Sequence, residues 1–228
     1  MSLAIGFVLF PNVTQLDFTG PLQVLHRAPG ATTHIVAGSL DPVPSDCGLG
    51  LVPTTTFADC PPLDVVCAPG GFGVRDAMGD PALIGFLRAQ GANARYVTSV
   101  CTGSFLLGAA GLLAGKRATT HWAYRHLLPL VGATPVEARV VRDGAVFTGG
   151  GVTAGIDFAF TLLAELAGER TARAIQLSLE YDPAPPFDGG APERAAPDAR
   201  AAVEKRYAPI LDDFAAAVKA AYASTPAG

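Results

Sequence analysis

The sequence predicts an α/β protein with a mostly parallel sheet covered by helices on both faces, on three observations. Apolar, β-branched runs alternate with helix-like stretches along the chain. Residues 64–68 (DVVCA) read as a fully buried strand that ends in Pro69-Gly70-Gly71. Residues 95–115 run from a β-branched strand into one cysteine, then a small-residue turn, then a helix, which is the pattern of a strand-to-helix nucleophile elbow.

Each element follows in order. Residues 3–10 form the first strand, 21–28 a short helix and 33–37 a second strand, and 41–55 make an irregular, hairpin-like excursion. After the strand at 64–68, Asp80 caps a helix whose first turn carries Pro81, a favoured start. Residues 95–100 are the elbow strand and 121–130 look helical. Residues 139–142 and 145–148 flank Asp143-Gly144, a strong short hairpin signal. Two helices follow at 153–167 and 170–181 around Gly168, then an irregular Pro/Gly/Ala-rich stretch at 183–198 and a terminal helix at 199–222. No internal repeat interrupts this order, and residues 1–228 are expected to form one domain.

Composition narrows the function. Half the residues are hydrophobic and 8% aromatic, as in ordinary globular proteins, and a net charge of −4 gives no basic patch for nucleic acid. The N-terminal MSLAIGFVLFP has no basic n-region and no cleavage-like site, so it reads as a strand and not as a signal peptide. Residues 96–115 lack charge and have about the length of a membrane span, but Thr98, Ser99, Thr102 and Ser104 crowd the segment and four glycines dilute it, which argues against one. Cys47, Cys60, Cys67 and Cys101 form no C-x-x-C pair and have no histidine cluster, which disfavours zinc and a disulfide framework and makes cytoplasmic residence the default.

Cys101 carries the chemistry on one reading. Thr102, Gly103 and Ser104 supply the small neighbours of a sharp turn, and the unpaired N–H groups of the helix it opens favour a thiolate. On the other reading it is a small buried hydrophobe. Asp17, Gly70-Gly71, Cys101 and His121 all fall at or just past strand carboxyl ends, the edge where doubly wound sheets bind ligands. Asp17, between Leu16 and Phe18, is either a poorly solvated carboxyl able to hold a proton or the N-cap of the helix near Pro21. His121 either faces the site or merely begins its helix, and His26, His34 and His126 read as structural. Gly149-Gly150-Gly151 form a tight passage or hinge before the next helix, or a simple loop.

The segments CAPGGFG, YVTSVCTGSFLLGAAGLLAGKRATTHW and FTGGGVTAGIDFAFTLLAEL resemble the PfpI-like branch of the class I glutamine amidotransferase-like superfamily. With LFPNVTQLDFTGP and QLSLEYDPAPPF, the similarity spans residues 3–188 and narrows to the branch members that hydrate isonitriles. The resemblance implies a flavodoxin-like three-layer sandwich, usually a homodimer, with Cys101 as nucleophile, Asp17 as acid/base and Thr102 at the site. It implies a small isonitrile as substrate, converted through a thioimidate to a formamide with no metal or organic cofactor. Backbone groups at Gly70, Gly71, Gly150 and Val152 are expected to line the substrate, with the Thr102 hydroxyl holding the attacking water. Modification of Cys101 is expected to loosen the helix after Val152, and Gly150→Thr to slow turnover.

The sequence departs from other branches of the superfamily. No H-x-E pair follows Cys101, which disfavours glutamine hydrolysis, and an aspartate stands where the deglycase and protease-like branches place a glutamate. The related transcription regulators append a helix-turn-helix domain, whereas one acidic, Ala-rich helix follows here. A cysteine-based oxidation sensor or ligand-binding protein remains the second functional reading.

Overall fold

The computed structural model describes residues 2–224; Met1 and residues 225–228 of the expected 1–228 domain lie outside the described residues. Strands β1 (Leu3–Val8), β2 (Ala31–Ala37), β5 (Thr55–Thr56), β6 (Val65–Ala68), β7 (Tyr96–Val100), β10 (Val140–Asp143) and β11 (Val146–Gly149) make one sheet. Its order is β10-β11-β7-β6-β1-β2-β5, with every neighbouring pair parallel except β10 and β11. The excursion after β2 is a small antiparallel ladder of β3 (Val43–Pro44) and β4 (Gly50–Leu51), and β8 (Arg117–Ala118) pairs with β9 (Thr134–Pro135).

One face of the sheet carries α1 (Gln15–Leu25), α5 (Ala154–Ala167) and α6 (Glu169–Ser178). The other carries α2 (Val74–Ala77), α3 (Pro81–Gly91), α4 (Ser104–Ala109), a 3-10 segment at Trp122–Val131 and α7 (Pro197–Ala223). This is the flavodoxin-like sandwich, and its central strands β6 and β7 are buried throughout because both faces are covered. Phe7 and Phe158 fill one part of the core and Phe105 another, all fully buried. The Asp80 side chain accepts from the Ala82 and Leu83 amides, so the expected cap and Pro81 start are present.

Three expectations change. Helix α1 begins at Gln15 and contains Pro21, so Asp17 lies in its first turn and caps nothing; the N-cap position is Thr14. The hairpin turn is Gly144-Ala145, one residue later than expected, because Asp143 pairs with Val146 and Gly144 takes a φ of 63°. The helix opened by Cys101 stops at Ala109, with positive-φ Gly111 beyond it.

The chain runs from β1 outward to β2, then returns to the other side of β1 through β6 and β7. The direction of winding therefore reverses between β1 and β6, and a crevice opens at their carboxyl ends.

Candidate active site

Cys101 follows β7 without an intervening residue and takes a φ of 55°, a left-handed conformation that few non-glycine residues adopt. The turn is held on three sides. The Cys101 amide donates to the Gly150 carbonyl at 2.9 Å, and the Thr120 hydroxyl donates to the Cys101 carbonyl at 2.7 Å. A Cβ on Gly103 would lie 2.1 Å from the Ala68 carbonyl oxygen, so only glycine lets the elbow press against the end of β6. At the sulfur, backbone N–H groups of Val152 and Thr102 favour the thiolate.

Asp17 enters from α1 across the β1–β6 crevice and is wholly inaccessible to solvent. The Gly70 amide donates to its Oδ2 at 3.0 Å, while Oδ1 has no hydrogen-bond partner among the described residues and the Cys101 thiol lies beside the carboxyl. Burial raises the Asp17 pKa from 3.8 to about 7, against the opposing pull of the Gly70 amide and the Cys101 side chain. Burial, then the neighbouring Asp17 charge, pushes the Cys101 thiol well above its ordinary value despite the two N–H groups. The elbow therefore does not ionise the resting thiol as the sequence pattern suggested: desolvation outweighs the donors, and the thiol and carboxyl share their protons.

Gly70 explains the closeness of the pair. A Cβ there would sit 2.6 Å from the Thr102 nitrogen and 2.8 Å from both Asp17 Oδ2 and Thr102 Oγ1. The next residue works differently. The Gly71 amide donates to Thr102 Oγ1 at 3.0 Å and the Thr102 hydroxyl donates to the Gly71 carbonyl at 3.2 Å. The Gly70 and Gly71 amides thus donate to Asp17 and Thr102, and the Thr102 hydroxyl proton is directed at Gly71. Gly150 likewise acts through its carbonyl, on the Cys101 amide. Of the four expected backbone groups, the Val152 N–H is the one directed at the sulfur.

None of Gly149, Gly150 and Gly151 has a positive φ; the unusual angle falls on Val152, at 24°. A tight passage does exist at Gly151, whose Cβ would be 2.7 Å from His121 Cδ2. His121 therefore stands over the turn that reaches the sulfur, and burial pushes its pKa down to about 4, leaving a neutral ring. Its ring meets Trp122 at 5.8 Å, Tyr124 at 5.9 Å and Tyr207 of α7 at 5.4 Å between centroids. The meeting of Tyr124 and Tyr207 at His121 is not legible in the sequence, because they are separated along the chain and belong to no motif.

Among the described residues, no group of three or more His, Cys, Asp or Glu side chains is arranged to hold a metal, and no helix is long and apolar enough to cross a membrane.

The fold and the cysteine–carboxyl pair define an α/β sandwich protein of the nucleophile-elbow class. Comparison with known proteins identifies the group within that class: the profile of the DJ-1/PfpI family matches residues 4–165, and the chain belongs to that family. It is 61% identical over 211 residues to isonitrile hydratase from Pseudomonas putida, covering 92% of each chain. A THiJ/PfpI family protein from Pseudomonas syringae superposes with a TM-score of 0.94 at 45% identity, over 96% of this chain and 91% of that one. Drosophila melanogaster DJ-1beta is more distant, with a TM-score of 0.69 at 25% identity over 79% of this chain and 98% of its own.

Proposed function

We propose that this protein hydrates isonitriles to N-substituted formamides, with Cys101 as nucleophile and Asp17 as acid and base. The observation that carries the reading is the buried carboxyl whose pKa lies near 7, placed beside the elbow thiol. The similarity to the Pseudomonas putida isonitrile hydratase over nearly the whole chain supports the substrate class.

The protons balance within the pair. The Cys101 thiol passes its proton to the Asp17 carboxylate as sulfur adds to the terminal carbon of R–N≡C, and Asp17 delivers that proton to the same carbon, giving the thioimidate R–N=CH–S–Cys101. Asp17, now a carboxylate, takes a proton from water as its oxygen attacks the same carbon and passes that proton to nitrogen. The adduct R–NH–CH(OH)–S–Cys101 then collapses: the C–S bond breaks, the hydroxyl proton returns to Asp17, and R–NH–CHO leaves. Val152 and Thr102 N–H groups steady the sulfur when it departs as thiolate. Thr102 acts by fixing Gly71, and Gly70 and Gly150 by fixing Asp17 and the elbow. No step calls on a cofactor.

The oxidation-sensor reading fares worse, because it calls on the thiol alone and leaves the carboxyl buried beside it, able to take and return a proton, without a role. We further read the whole chain as one domain, acting as a homodimer in the cytoplasm. Leu49, Val52 and Phe72 are at least half exposed, an apolar cost that a second copy would remove, and four free thiols suit a reducing compartment.

Incubation of the purified protein with cyclohexyl isonitrile tests the main reading. Formamide accumulating well beyond one equivalent per protomer is expected; none above the uncatalysed background would overturn it.

A further inference from the structure

The site has an aromatic roof that the reaction does not use. It starts beside the elbow: Thr120 is tied to the Cys101 carbonyl, and His121, the next residue, stands over Gly151. From His121 the rings continue into Tyr124 and Tyr207, which meet edge to face at 5.7 Å, and Tyr124 meets Phe214 at 4.8 Å. Tyr207 and Phe214 both belong to α7, and Phe214 anchors that helix in the core at 3% exposure. Tyr207 is only half-buried, and neither tyrosine hydroxyl has a hydrogen-bond partner among the described residues. Burial raises the pKa of both tyrosines, and the nearby Cys101 sulfur adds to the rise. Neither hydroxyl is among the buried, unpartnered polar atoms of the described residues, so both tyrosines turn their polar ends to solvent and their rings to each other and to His121.

A second observation bears on what they do. The DJ-1/PfpI profile ends at residue 165, before α7 begins at Pro197. Cys101 and Asp17 come from within the family's common part, whereas Tyr207 comes from outside it.

We infer that Tyr207 is a specificity-determining residue: with Tyr124 and His121 it forms the wall against which the R group of the isonitrile lies, and its ring favours cyclic and aromatic R groups over methyl. An isonitrile suits this arrangement because its reacting carbon is terminal, so the R group must project away from the sulfur, and flat aromatic faces accept such groups at low entropic cost. The substrate class rests on the proposed hydration; the wall itself does not.

The test compares Tyr207→Ala, Tyr207→Leu and Tyr207→Phe with the unaltered protein, all confirmed folded by circular dichroism, using phenyl and methyl isonitrile. The ratio of kcat/KM for phenyl over methyl should fall about tenfold in the Ala and Leu variants, with the loss mainly in KM, and should be kept in the Phe variant. In parallel, the rates at which benzyl and methyl methanethiosulfonate label Cys101 are read by peptide mass spectrometry, and the benzyl preference should fall in the same two variants. An unchanged ratio in both assays would overturn the inference, as would an equal loss in the Phe variant. Absence of isonitrile turnover together with a lost benzyl preference would refute the hydration and leave the wall standing.

Discussion

Two cysteines on neighbouring strands of the same sheet, Cys67 in β6 and Cys101 at the end of β7, share almost every property but one. Both are buried, both thiols are raised by burial, and both feel the charge of Asp17. Cys67 is pushed up to about 12, with the Thr98 side chain as its one lowering influence, and it sits within a regular strand. Cys101 sits one residue beyond its strand, in a left-handed conformation that brings its sulfur under the N–H groups of Val152 and Thr102. On the proposed mechanism, burial is therefore not what separates the thiol without a role from the nucleophile. A backbone turn costing on the order of 1–3 kcal/mol does, by exchanging a place in the sheet for a place among donors.

The sharpest test of that contrast is Cys101→Ala, which should keep the fold and lower formamide production to the uncatalysed rate. Residual turnover would mean that another group attacks the isonitrile. Asp17→Asn comes next and should cut kcat by about a hundredfold or more, because the amide keeps the Gly70 contact but moves no proton. In the unaltered protein kcat/KM should fall as pH drops through about 7, as Asp17 becomes protonated and can no longer take the proton of the Cys101 thiol.

The same carboxyl has an opposite effect on stability. Its pKa is about 7 when folded against an ordinary 3.8, so the folded state binds the proton more tightly, and the stability this contributes at low pH is lost as pH rises from about 4 to 7. Thermal or denaturant unfolding above pH 7 should find Asp17→Asn more stable by on the order of 3 kcal/mol, with the gain gone below about pH 4. An Asn variant less stable at every pH would contradict the buried, protonated carboxyl.

Gly70→Ala should cost about a hundredfold in kcat, because its Cβ would force Thr102 and Asp17 apart, while Gly150→Ala, whose Cβ meets nothing nearer than 3.5 Å, should stay near the normal rate. Equal effects would show that the placement of the pair does not limit the chemistry. The smallest change belongs to the other member of the comparison. Cys67→Ala should lower stability by about 1–2 kcal/mol, measured by urea unfolding, and leave kcat/KM unaltered.

Local signals made much of this molecule legible. The apolar DVVCA run, the Asp80-Pro81 start and the small residues after Cys101 each act within a few positions of themselves, and each appears where expected. Pro21 misled, because proline favours the first turn of a helix but here lies within one that starts at Gln15. The error hid the turn in which Asp17 lies, although its apolar neighbours correctly suggested a carboxyl able to keep its proton. The state of Cys101 was misread for a related reason: helix N–H groups are visible in sequence, whereas the extent of burial and the sign of a charge from 84 positions earlier are set by packing. The Gly71–Thr102 exchange and the Tyr124–Tyr207 contact join residues 31 and 83 positions apart, and no periodicity or motif connects them.

The position of Tyr207 outside the family's common part has a consequence for how this protein can change over generations. The reacting groups hang from glycine contacts too close to admit a methyl group, so that layer is frozen against drift. The roof is attached through one long helix with Phe214 as its anchor, and Tyr207 can be exchanged without disturbing any hydrogen bond of the reacting pair. On the proposed reading, substrate range and bond chemistry thus rest on separate parts of the chain, and a change of R group has a short path through α7.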